Sequence, residues 1–186
     1  MGLTFISSQT ASSDSSLDFT SGIDSTYNEY LFTIVNYKPV TDEKALGFQV
    51  DTGTNTSYAQ TITSTFYKGG HQQNGGWSVL SYNPDEDQAE GIALQKISLT
   101  GESNSYPAMT SSGSLTLYDP SNSTYVKHFT ARVNTQYTNN GTDAQTWAID
   151  AHIAGYVNTT TALTRVRFAA LSGNILTGTI ALYGVS

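Results

Sequence analysis

An all-β fold is what this sequence predicts, and three observations carry the prediction. Apolar and polar residues alternate along most of the chain, the pattern of strands with one buried face. Thr, Tyr, Val, Ile and Phe, which suit a pleated surface, are abundant, while charged residues make up only 12 %, about half the usual share. The alternating runs are short and separated by clusters of Gly, Asn, Asp and Ser. With 186 residues and no cysteine, the chain is expected to form one domain, 1–186, and to bury enough surface, roughly 70 %, to fold without a disulfide or metal staple.

In chain order, strands are expected at 3–8 and 15–20, with the low-complexity "TASSDSS" at 10–16 read as the loop between them. The Tyr-rich run at 28–37 and the run at 45–51 follow, the latter leading into an Asn/Ser/Thr loop. A strand at 57–67 meets the glycine-rich "YKGGHQQNGGW" of 67–77, read as a hairpin tip before a strand at 76–82. Past the acidic loop "YNPDEDQAEG" come strands at 91–100 and 113–118, then a Pro/Asn/Ser loop and a strand at 125–137. The last strands are 145–157, 163–171 and 178–185. About twelve strands at this spacing suggest a sandwich or a barrel.

Two hairpins are expected in register. "TNNGTD" at 138–143 is a turn signal, and a turn centred on Asn140 sets Trp147 opposite Val133 and Ala151 opposite Phe129. The same register sets His128 opposite His152 on the other face, near Asp150 and Arg132. At the end of the chain, Val166, Phe168 and Ala170 form one face of the run before "SGNILTG" and Ile180 and Leu182 one face of the run after it, so the two runs read as a closing hairpin with Phe168 near Leu182.

Net charge is −7 and the pI about 4.6. Eight scattered Lys and Arg form no basic stripe, so nucleic acid is not an expected partner. "MGLTFISSQT" has no basic n-region or apolar core, so no secretion signal is expected, and no apolar run suits membrane insertion. The sequons at Asn55, Asn122, Asn140 and Asn158 are close to the chance number for a chain this rich in Ser and Thr.

Three clusters carry candidate chemistry. Asp85, Glu86, Asp87 and Glu90 place carboxylates in one loop, as calcium requires, but without the glycine and spacing of an EF-hand; a solvated acidic turn is expected. The His128–His152 pair with Asp150 has zinc-ligand chemistry, against the simpler reading of histidines on a polar sheet face. Tyr67, His71, Gln72, Gln73, Asn74 and Trp77 combine aromatics with amides, which suits sugars; the competing reading, and the expected one, is a glycine-rich turn with Trp77 entering the core. There is no Gly-x-Ser-x-Gly elbow and no Cys nucleophile. No catalytic residue, cofactor site or metal site is therefore assigned, and the protein is not expected to be an enzyme.

Four stretches together are familiar: "SSLDFTSGIDSTYNEYLFTIVNY", "LGFQVDTGTNTSYAQT", "GSLTLYDPSNSTYVKHFTARV" and "VNTTTALTRVRFAALSGNILTGTIALYGV". In order and pattern the chain resembles the small β-sandwich virion proteins of tailed bacteriophages, often phages of marine bacteria, which end in an Ile-x-Leu-Tyr-Gly-Ile/Val strand. The resemblance is weakest over 68–110. It implies a jelly-roll-like sandwich that folds in the host cytoplasm and is built into the virion, as a capsid decoration or tail-associated protein. It also implies virion proteins as partners and a homo-oligomer, with a trimer favoured. The alternative expectation is a carbohydrate-binding adhesin module for host-surface glycans.

Overall fold

The computed structural model describes residues 2–99, 108–138 and 146–186. Among these, twelve strands make up the regular structure: β1 (Leu3–Asp14), β2 (Leu17–Phe19), β3 (Glu29–Pro39), β4 (Leu46–Thr52), β5 (Ile62–Gln72), β6 (Ser78–Tyr82), β7 (Gln95–Lys96), β8 (Ser111–Tyr118), β9 (Lys127–Thr138), β10 (Thr146–Val157), β11 (Leu163–Ala170) and β12 (Ile175–Val185). They form two antiparallel sheets, an eight-stranded one in the order β1-β12-β3-β8-β9-β10-β5-β6 and a four-stranded one in the order β2-β11-β4-β7.

A simple plan underlies these orders. β1 pairs with β12, β2 with β11, β3 with β8 and β4 with β7, four nested antiparallel pairs that alternate between the sheets. A single long hairpin rolled over on itself produces this nesting, which is the jelly roll. The other four strands are additions to the roll. β5 and β6 lie between β4 and β7 in the chain, β9 and β10 between β8 and β11, and all four extend the larger sheet past β8.

Alternation closes the core. Phe19, Phe32, Phe48, Phe129 and Phe168 are each at most 2 % exposed. Across the sandwich, the Phe168 ring lies 5.2 Å from Phe32, and Phe48 lies 4.9 Å from Phe129. Each such side chain contributes roughly 1.5–3 kcal/mol by leaving water. Asp51, fully buried in β4, accepts hydrogen bonds from the Tyr58 and Thr52 amides at 2.7 and 2.9 Å. It also accepts from Gln60 Nε2 at 3.1 Å and Ser57 Oγ at 3.3 Å, so one carboxylate pins the loop that follows β4. Burial raises the Asp51 pKa, and these donors outweigh it, holding the carboxyl below its ordinary value.

Five expectations are corrected. The "TASSDSS" stretch is not wholly a loop, because β1 continues to Asp14 along β12. The strand expected at 57–67 runs instead from 62 to 72, through the glycines. At Gly70 space is tight beside Val79 of β6: a Cβ there would come 3.1 Å from Val79 Cγ1, with the Trp147 ring in ordinary contact at 3.4 Å. The strand expected at 91–100 is reduced, among the described residues, to the two residues of β7, since side chains satisfy the backbone around it; Ser98 Oγ, for example, accepts from the Leu46 amide at 2.8 Å. Trp147 pairs with Tyr137, and Ala151 with Val133, rather than with Val133 and Phe129. Relative to the expected register the partners shift by four residues, an even number that preserves the buried parity; 139–145, with Asn140 and most of "TNNGTD", lie outside the described residues.

The largest correction concerns the chain end. β11 and β12 do not form a hairpin: β11 pairs with β2 and β4, and β12 with β1 and β3. The turn at Gly173, whose φ is 74°, carries the chain from one sheet to the other. The apolar parities expected of the two strands therefore meet face to face across the core, where Phe168 packs on Phe32, the register partner of Leu182. Gly178, at φ 133°, sits where the β12–β3 register slips; a Cβ there would come within 2.9 Å of the Tyr37 backbone.

Candidate functional site

The added strands give the larger sheet a broad outer face. Along β9, Phe129, Ala131, Val133 and Thr135 point into the core, and His128, Thr130, Arg132, Asn134 and Gln136 point out. Register then lays out rows across the strands. Arg132 stands between Ser114 of β8 and His152 of β10, and His152 stands opposite Tyr67 of β5, which faces Tyr82 of β6. In the next row, Asn134 lies between Ser112 and Asp150.

The centre of this face is an ion-paired cluster. Arg132 Nε donates to both Asp150 oxygens at 3.1 Å, and its Nη2 donates to Oδ2 at 2.7 Å. His152 Nε2 lies 3.0 Å from the same Oδ2. The Arg132 hydrogen bonds hold the Asp150 carboxyl below the ordinary carboxylate range, helped by His152 and opposed by burial. Asp150 in turn raises the Arg132 pKa. The Tyr67 and Tyr82 rings meet edge to face at 5.1 Å beside the cluster, and Tyr118 Oη is 3.0 Å from Thr130 Oγ1 on its other side.

Around the cluster the face is hollow. A depression of about 350 Å³ is bounded by Tyr67, Thr116, Thr130, Arg132, His152 and Ala154. A second, of about 330 Å³, shares Arg132 and Ser114 with the first and adds Ser112, Asn134 and Asp150. A third, of about 370 Å³, shares Asn134 and adds His71, Gln136 and Ala148. The three lie in a row, a notched trough along β9 from Thr130 to Gln136, roughly 20 Å at the usual strand rise, with the Arg132 and Asn134 side chains as shared walls between them.

The residues singled out from sequence fall in different places. His152 and Asp150 are in contact, but His128 pairs with Tyr156, not with His152, so the expected histidine pair does not form. In the acidic loop, Glu86 pairs with Lys96 and Asp87 accepts from the Tyr82 hydroxyl, so these carboxylates turn to separate partners. No group of three metal-ligating side chains gathers among the described residues. Tyr67 and His71 line the trough from β5 rather than from a loop. Trp77 does not enter the core; it is 63 % exposed beside the edge strand β6, while the inward position over Gly70 is taken by Trp147.

The trough itself is not visible in the chain as a motif. Its sequence signal is the run of short outward side chains, Ser112, Ser114, Ala148 and Ala154, flanked by longer ones on neighbouring strands. No family model and no curated protein matches this sequence.

Proposed function

We propose that the protein is a non-catalytic structural component of a bacteriophage particle, displayed on its exterior as a capsid decoration or tail-associated protein. The nested jelly-roll order of the strands carries this reading, because that architecture is widely used in virus-particle and lectin domains. It is supported by the resemblance of four stretches of the sequence to phage β-sandwich proteins. Folding takes place in the host cytoplasm before assembly.

The edges of the larger sheet support assembly with further chains. β1 and β6 are its outermost strands, and each leaves one backbone edge without a strand neighbour among the described residues. Leu3 and Phe5 on β1 are 59 % and 58 % exposed, and Leu80 on β6 is 84 % exposed. Residues 3–13 carry no charge, although charge is the usual protection of such an edge against pairing. A homo-oligomer, with a trimer favoured, and docking onto other virion proteins are the partners proposed.

The test is mass spectrometry of purified particles of the encoding phage, with native mass spectrometry of the isolated chain. The expected result is a defined oligomer that co-purifies with particles. A copy number matching the capsid lattice assigns decoration, and one matching a tail ring assigns the tail. A monomer absent from particles overturns the proposal.

A further inference from the structure

We propose that the trough on the outer face of the larger sheet binds a neutral oligosaccharide, with Arg132, Asp150 and His152 as its hydrogen-bonding centre and Tyr67 as its aromatic wall. That the trough meets such a ligand on a host surface rests on the particle-exterior reading above; the binding itself does not.

The ligand class follows from what the trough offers. Its floor is formed by β8, β9, β10 and β5, each paired on both sides, so the backbone has no free edge for an added peptide strand. Its only arginine is balanced by Asp150, which does not make the basic stripe that phosphates need. The net charge of −7 disfavours anionic ligands. The depressions are open and bounded by small side chains, Ser114, Thr116, Thr130 and Ala154, so they enclose no channel for an acyl chain.

What remains is one cluster of donors and acceptors, Arg132, Asp150 and His152, held in place. The guanidinium and the carboxylate are planar and fix each other through three hydrogen bonds, so neither must be ordered when a ligand arrives. The Arg132 side chain is 69 % exposed and that of His152 54 %, which leaves their remaining polar groups open to a ligand. Neighbouring sugar hydroxyls both donate and accept, and so match a site that presents both functions side by side. Asn134 and Gln136 continue the polar surface along the trough, which gives it the shape of a chain-binding site rather than a pocket for one ring.

The experiment is affinity electrophoresis of the full chain through gels containing dextran, mannan, laminarin or galactan, with dextran sulfate as the charged comparison. Wild type, Arg132→Ala and Ala154→Trp are run together. Ala154 is an exposed strand residue lining the trough, so a tryptophan there fills the hollow without entering the core. The expected result is retardation by at least one neutral polysaccharide that persists in high salt. Both variants should weaken it by about tenfold or more, with unchanged melting temperatures. Retardation by none of the neutral polymers, retardation only by dextran sulfate, or full binding by either variant overturns the proposal. Particle association of Ala154→Trp, scored separately, keeps a failure of this proposal distinct from a failure of the structural role.

Discussion

The added strands continue the larger sheet of the roll, yet the packing beneath them changes toward β5. Over the roll, the inner faces meet through aromatic rings, with Phe19 5.3 Å and Phe168 5.2 Å from Phe32. Over β5, the cover is the segment between β6 and β7, and the contact is polar: Ser64 Oγ donates to Gln95 Oε1 at 2.6 Å, and the Gln88 amide donates to Ser64 Oγ at 3.0 Å. A core sealed by apolar burial tolerates little change, whereas side-chain hydrogen bonds contribute less to stability. The added strands also lend apolar residues to the core, Phe66, Phe129 and Ile153 among them, so the difference is one of degree; the larger share of stability is expected in the roll, and the outer face of the extension is the part free to carry recognition.

Removing residues from Ile180 onward should break this comparison most sharply. β12 lies between β1 and β3, so the truncation removes Ile180–Val185, the second half of an interior strand, takes Ile180 and Leu182 from the core and unpairs the facing stretches of β1 and β3. The expected product is insoluble or lacks a cooperative unfolding transition by circular dichroism. A soluble truncated chain that melts cooperatively would refute the placement of stability in the roll.

Next in size is the paired substitution of one aromatic from each region. Phe168→Ala should destabilise by about 3–5 kcal/mol in urea unfolding, since it leaves a cavity against Phe19, Phe32 and Phe48. Trp147, only partly buried at the margin of the core, should cost about 1–2 kcal/mol on replacement by alanine. Equal losses would remove the distinction between the regions.

Much of the buried face was legible because parity is a local property. The alternation of Phe129, Ala131 and Val133, or of Val166, Phe168 and Ala170, names the buried face whatever strand lies beside it. Which strand does lie beside it is not local, and there the reading failed. Two neighbouring strands of matched parity, 163–170 and 175–185, look like a hairpin, but the same pattern serves two strands facing each other across a sandwich. For the candidate site, Arg132, Asp150 and His152 were already near one another in the expected register, because an even shift leaves their face unchanged. The trough around them was not legible, since Ser112 and Ser114 on β8 and Tyr67 on β5 join it only through pairings of strands distant in sequence.

Asp51 gives a pH-dependent test of the roll. Its carboxyl titrates lower in the folded chain than in the unfolded one, so its stabilising effect is fully present above the unfolded value, about 3.9, and is lost as pH falls through the folded value. Asp51→Asn should cost about 1–3 kcal/mol at neutral pH, because an amide cannot accept from all the donors that now surround the two oxygens. Its melting temperature should also fall less steeply than wild type on acidification. A variant that parallels wild type across the acid range would show that the other lowered carboxyls, Asp18, Asp24 and Asp150, carry the acid sensitivity instead.

The smallest effects separate two arginine–aspartate pairs of the same chemistry. In the roll, Arg167 binds Asp18 through two parallel bonds, Nε to Oδ1 at 2.8 Å and Nη2 to Oδ2 at 2.6 Å, with its guanidinium 4.0 Å from the centre of the buried Tyr58 ring. In the extension, Arg132 binds Asp150 just as closely, but its side chain is 69 % exposed, against 31 % for Arg167. Arg167→Ala loses both the ion pair and the packing over Tyr58 and should cost about 1–2 kcal/mol in thermal or urea unfolding. Arg132→Ala gives up a pair already screened by water, and its unfolding midpoint should coincide with wild type within error. A stability loss for Arg132→Ala as large as that for Arg167→Ala would make the outer cluster a structural brace. Two pairs that match in geometry and differ in stability would instead leave the outer one free to be spent on a ligand.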